Sequence, residues 1–438
     1  MTFGEIGGQH PRRWLWRGVC GLVSLALGAA ALGCGRTEYK FEDVIVDAGP
    51  PPEFDGGTPP AARTSDKLDI LFVIDNSGTT GPAQQKLAAT VPYLLDRLTH
   101  PACVNGYGQT VDTPATDDAP CETGVRDFAP MQNIHIAVIS SSLGGHGADI
   151  CSPSAASFHP QQNDAAHLLT RDSAGGVVPS YNDLGFLVWD PQASHAPPGD
   201  NDVSALGEKL RATIEGAGIF GCGFEAPLEA FYRFLVDPDP YESVTVVNGT
   251  ATLEGTDQLV LKERADFLRP DSTLLIVLLS DEDDCSTRDG GKYYLSNQGT
   301  IGTALFHLPR PRSSCASDAN DVCCTSCGSP NPAGCPADPE CDQGPLDSDE
   351  DPINLRCFDQ KRRFGIDFLQ PIERYTAGLQ DDTISDRLGN PVANPLFVGT
   401  RGKTMVMLAA IVGVPWQDIA RSPGDIAAGF IPATELKW

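Results

Sequence analysis

Two stretches of the chain are apolar almost without interruption, and both end in acid. LDILFVI, residues 68–74, runs into Asp75-Asn76-Ser77-Gly78-Thr79, and LLIVLL, residues 274–279, runs through Ser280 into Asp281-Glu282-Asp283-Asp284. A strand covered on one face alternates apolar and polar residues, so a continuous apolar run is expected where both faces are covered. IHIAVIS (134–140) reads as a second such strand, LGFLVW (184–189) as a short third and Thr404 to Val412 as a last. Between them the period changes. Pro82 suits a first helical turn, and Leu87, Val91, Leu94, Leu95 and Leu98 follow at helical spacing. Leu206 to Ile214, a helix entered through Pro227 with Leu228, Phe231, Tyr232 and Leu235 on one face, and Phe364 to Leu379 complete the set.

Apolar strands alternating with amphipathic helices predict a doubly wound, Rossmann-like α/β domain with a mostly parallel sheet and helices on both faces, spanning residues 67–414, with 415–438 as its C-terminal tail. In such sheets ligands bind beyond the carboxyl ends of the strands, where the strand order reverses. Asp75 and Asp281 each occupy such an end. If their strands are neighbours the carboxylates converge, and a divalent cation between them removes the repulsion.

Charge narrows the partners. The chain of 438 residues carries 31 Lys and Arg against 58 Asp and Glu, a formal charge of -27, which argues against nucleic acid. At the N-terminus Arg12, Arg13 and Arg17 precede an apolar stretch too short for a comfortable membrane span, which predicts a signal peptide over residues 1–33. Ala31-Leu32-Gly33-Cys34 resembles a bacterial lipobox, which implies lipidation of Cys34 and contact with a membrane only through that anchor. Gly35 in place of Asp implies an outer-membrane lipoprotein of the cell envelope. Residues 34–66, rich in Pro and Gly, read as an extended tether.

Export changes the reading of the cysteines. Cys20 leaves with the signal and Cys34 takes lipid. That leaves Cys103, Cys121, Cys151, Cys222, Cys285, Cys315, Cys323, Cys324, Cys327, Cys335, Cys341 and Cys357, an even set expected to form disulfides of open connectivity. Cys324-x-x-Cys327 has zinc-site spacing but no nearby histidine, so oxidation is preferred. Most of these cysteines fall between residues 285 and about 360, a stapled, disulfide-rich insertion with no long apolar period.

Asp75-x-Ser77-x-Thr79 resembles the D-x-S-x-S signature of the von Willebrand factor type A (VWA) domain, in its Thr variant. The resemblance implies a strand order 3-2-1-4-5-6. It also implies a metal-ion-dependent adhesion site (MIDAS) holding Mg²⁺, alternatively Mn²⁺ or Ca²⁺, through Asp75, Ser77, Thr79 and Asp281. An open position on the cation would take an acidic residue of a protein partner. The family's later Thr is missing. Gly221-Cys222-Gly223-Phe224-Glu225-Ala226-Pro227-Leu228 stands in its place, and Glu225, the nearest oxygen donor there, is expected to replace it as a ligand.

Other acidic and hydroxyl residues read more plainly. Thr79 or Thr80 suits the helix cap, and Asp283 and Asp284 read as a solvated loop, as does Asp347-x-Asp349-x-Asp351, where Pro352 replaces the Gly of a calcium loop. His146 reads as a loop histidine without a partner. An enzyme is not expected. A haloacid-dehalogenase-like phosphatase would use Asp75 as nucleophile, but Ser77 occupies the position of its acid–base Asp. The remaining alternative is a structural envelope lipoprotein without metal-dependent binding.

Overall fold

The computed structural model describes residues 66–114, 119–413, 420–422 and 428–431. The signal peptide, Cys34, the tether up to Ser65 and most of the tail lie outside the described residues. The core is a five-stranded sheet built from β1 (Lys67–Ile74), β2 (Asn133–Ser140), β3 (Leu187–Trp189), β4 (Thr273–Ser280) and β5 (Val406–Val412). Its order is β3-β2-β1-β4-β5, with β1, β2, β4 and β5 parallel and the edge strand β3 antiparallel to β2. Ile74 pairs with Ser140 on one side and Leu279 on the other, so the strands that deliver Asp75 and Asp281 are direct neighbours.

Side-chain alternation divides the continuous apolar runs between two cores. Ile70, Phe72, Ile74, Ile136 and Val138 pack on α1 (Gly81–Thr99) and α2 (Val203–Glu215). Leu71, Val73, Ala137, Ile139, Ile276 and Leu278 pack on α3 (Pro227–Leu235), α4 (Gln258–Phe267) and Tyr375 of α5 (Ile372–Gln380). The fold is therefore mixed α/β, with helices on both faces of a mostly parallel sheet.

Several expectations need correction. The helix expected over Phe364 to Leu379 is two pieces, Gln360–Phe364 and α5, separated where Gly365 takes a left-handed backbone and Pro371 precedes α5. The third strand is three residues long. Thr80 occupies the cap position of α1 without a side-chain cap; its hydroxyl donates to the Ser77 carbonyl instead. Asp351 is buried, accepting two hydrogen bonds from the buried Arg356 guanidinium and one from the Leu308 amide. His146 is buried too, with Nδ1 2.9 Å from Asp289 Oδ1. Six disulfides use all twelve cysteines: Cys103–Cys121, Cys151–Cys222, Cys285–Cys357, Cys315–Cys324, Cys323–Cys335 and Cys327–Cys341. Cys324 and Cys327 each have another sulfur partner, which rules out their serving together as zinc ligands in this oxidised form.

A histidine adds a pH-dependent contribution. Asp257 caps α4, and His167 Nε2 lies 3.2 Å from its Oδ2 while Nδ1 lies 3.2 Å from Glu263 Oε2. Burial disfavours the imidazolium, but the two carboxylates outweigh it and push its pKa up to about 9. A raised folded pKa stabilises fully below the ordinary histidine value, and this contribution is lost as pH rises through about 9. His167→Gln is therefore expected to lower stability by about 1–2 kcal/mol near pH 6 and to leave it unchanged near pH 10. Urea melts at the two pH values test this; an equal loss at both would mean the pair acts by packing alone.

Candidate metal centre

The site begins where β1 ends. The Asp75 amide donates to the Leu279 carbonyl, continuing the ladder to β4 one residue past the strand. The chain then turns. Asp75 Oδ1 accepts the Ser77 amide at 2.8 Å, which closes a local turn, and Oδ2 accepts the Ser280 hydroxyl at 2.7 Å. Gln84, one turn into α1, donates to the Asp75 carbonyl at 2.8 Å. These bonds fix a carboxylate that is fully buried. Burial pushes its pKa up, the Ser77 and Ser280 hydrogen bonds pull it down, and the negative charge of Asp281 adds to the rise.

The turn lifts two hydroxyls toward the β4 loop. Ser77 Oγ and Thr79 Oγ1 are 3.3 Å apart, and Thr79 Oγ1 lies 3.3 Å from Asp281 Oδ1 and 3.4 Å from Glu282 Oε1. Asp75 and Ser77 are buried while Thr79, Asp281 and Glu282 face outward, so the cup has a closed floor and an open rim.

A second loop closes the cup from the β2 side. Asn76 donates to the Gln161 and Ala217 carbonyls and accepts the Ser142 hydroxyl at 2.7 Å; Ser142 in turn accepts the Cys222 amide at 2.8 Å. Gly221 donates its amide to the Asn76 carbonyl, and a Cβ there would sit 2.3 Å from Asn76 Oδ1, so only glycine allows this approach. The Cys151–Cys222 disulfide holds the same loop. Three residues on is Glu225, only 1% exposed, with no donor group among the described residues on either carboxylate oxygen. Burial first, then the negative charges of Asp75 and Glu282, and last a hydrogen bond to Glu282 that requires the proton, push its pKa up to about 9. A buried carboxyl group with no such donor beside another carboxylate is an unusual and costly arrangement.

Asp75, Ser77 and Thr79 lie beyond the carboxyl end of β1 and Asp281 beyond that of β4, while Glu225 comes from the segment between α2 and α3, which the Ala226 amide ties to the Ser141 carbonyl past the end of β2. Two residues absent from the expected set join them. Ser280 orients Asp75, and Glu282 meets Thr79; both flank Asp281 in the sequence, which was the signal available. Asp284 is corrected from solvated loop to helix cap: its Oδ1 accepts the Leu228 amide and the Ser286 hydroxyl, and burial pushes its pKa to about 6. Among the described residues, no three His, Cys, Asp or Glu side chains are gathered as a ready set of metal ligands. Hard cations are held by neutral oxygens and water as well as carboxylates, and the buried Glu225 oxygens beside Asp75 fit that chemistry.

No family model, no curated protein and no solved structure matches this chain. Among the described residues, no helix is long and apolar enough to cross a membrane.

Proposed function

We infer that the protein is a cell-envelope lipoprotein whose VWA-like domain binds one divalent cation, most simply Mg²⁺, and through it a protein partner. The carrying observation is Glu225: it lies buried beside Asp75 and Glu282 with no salt bridge among the described residues, and a cation would supply the counter-charge. The strand order β3-β2-β1-β4-β5, with an antiparallel β3, supports the type A reading. Asp75 and Asp281 would hold the ion directly or through water, Ser77 and Thr79 would add their hydroxyls, and Glu225 would stand in for the family's missing Thr. A bound cation with an open position supplies a Lewis acid for a partner's carboxylate. The lipid at Cys34 would keep the domain at the outer membrane.

Calorimetric titration of the oxidised protein with Mg²⁺, Mn²⁺ and Ca²⁺ tests this. Saturable 1:1 binding is expected. Asp75→Ala and Asp281→Ala should each weaken it by more than the roughly 10–100-fold that an outer-shell partner is worth. Absence of binding by the intact protein would leave a structural envelope lipoprotein on the same sheet.

A further inference from the structure

The insertion does not merely hang from the domain; it walls the rim of the candidate metal centre. A cavity of about 440 Å³ opens between the acidic loop Asp281, Glu282 and Asp283 on one side and Ile353 and Leu355 of the insertion on another, with Phe224 below. The Cys285–Cys357 disulfide ties the two walls together, joining the residue after Asp284 to the segment that follows Leu355. The volume lies within the range that takes a small ligand or a few side chains, far more than one carboxylate requires. Ile353 and Leu355 are 41% and 48% exposed, so this apolar wall faces solvent rather than the insertion's own core.

Charge decides what fits. Asp281, Glu282 and Asp283 set three exposed carboxylates along this opening. A single divalent cation offsets only two of them, and the chain as a whole is strongly acidic. A partner bringing nothing but an acid would meet residual negative potential, so complementarity requires a cation beside it.

We propose that this cavity takes, from a protein partner, a basic side chain set against the Asp281–Asp283 loop together with an apolar side chain set against Ile353 and Leu355. The proposal rests on the metal-dependent reading: the partner's carboxylate occupies the cation and the basic–apolar pair occupies the neighbouring cavity. The insertion thereby selects the partner, while the sheet supplies the cation.

The test uses the Mg²⁺-loaded, oxidised, full-length protein and fluorescence anisotropy of short labelled peptides. Each peptide carries one Asp, followed by Lys-Leu, Glu-Leu or Lys-Ser. The Lys-Leu probe is expected to bind about fivefold tighter than Glu-Leu, an advantage that shrinks at high salt. It should also bind about tenfold tighter than Lys-Ser, because the leucine loses apolar area to the wall. Asp283→Lys should erase the preference for Lys over Glu, and Leu355→Ser the preference for Leu over Ser. Magnesium titration of each variant separates loss of the cation from loss of selection. If the protein binds Mg²⁺ but takes all three peptides equally, or none at millimolar concentration, the proposal is overturned while the metal site stands. If it binds no Mg²⁺ and no peptide, both readings fail together. Selection in EDTA identical to that in Mg²⁺ would overturn the proposed link to the cation.

Discussion

Asp69→Ala is expected to lower the unfolding free energy by about 3 kcal/mol, because it removes the one carboxylate that pairs with the buried Arg401 and the half-buried Arg269. Asp69 sits near the start of β1, at the end of the sheet opposite the candidate metal centre, and is fully buried. Its Oδ1 accepts Arg269 Nε at 2.8 Å and its Oδ2 accepts the Arg269 amide at 2.9 Å. Arg401 Nη2 approaches Oδ2 at 3.4 Å, and the Ser272 hydroxyl donates to the same oxygen. Burial pushes the Asp69 carboxyl pKa up, while Arg269 and these hydrogen bonds pull it down. One carboxylate therefore joins β1 to the segments entering β4 and β5. Urea melts of the oxidised protein test the expectation, with Asp69→Asn beside them: the amide keeps part of the hydrogen bonding and loses the charge, so it should fall between wild type and Ala. A loss under about 1 kcal/mol in Asp69→Ala would mean that water reaches both arginines once the carboxylate is gone.

None of that network was legible from the chain, although the strand that carries it was. Leu68 to Ile74 and Leu274 to Leu279 announce themselves because a strand covered on both faces needs no polar alternation. Asp69 interrupts the first run, and its partners lie 200 and 332 positions away, distances at which sequence pattern carries no signal. The same contrast holds elsewhere. The hairpin Ser243–Val247 and Thr250–Glu254 lies outside the predicted elements, although Asn248-Gly249 between two β-branched runs is a strong local turn signal. Helix α4 buries only Val260, Arg264 and Phe267, too few apolar positions to impose a helical period, and its clearest mark is the capping Asp257. At the site, the residues close in sequence to a strand end could be named. Glu225 could be named only through a resemblance, and its buried carboxyl emerges from three-dimensional packing. The wall formed by Ile353 and Leu355 was out of reach, since it depends on which cysteine pairs with Cys285.

Metal-free Glu225→Gln is expected to be more stable than the native protein by up to about 3 kcal/mol at neutral pH, and to lose the response to Mg²⁺. The sign follows from proton linkage. Glu225 ionises near 4.5 in the unfolded chain but holds its proton to about 9 when folded, so the folded state gives up stability steadily as pH rises between those values. Glutamine cannot ionise and escapes that loss, so the two proteins should melt alike near pH 4.5 and diverge above it. Guanidinium melts in EDTA across that range measure the divergence directly. Repeating them at saturating Mg²⁺ should close the gap from the other side, since a cation beside Asp75 turns the ionised Glu225 from a liability into a ligand. A glutamine variant no more stable than wild type at neutral pH would mean that the buried carboxyl already has a hydrogen-bond donor, such as ordered water, and the cation would lose its reason to bind there. A variant that gains stability yet still responds to Mg²⁺ would place the ion on Asp75 and Asp281 alone. A variant that gains stability and loses the response would identify Glu225 as a residue kept for the cation at the expense of the empty fold, as expected of a binding site rather than a core.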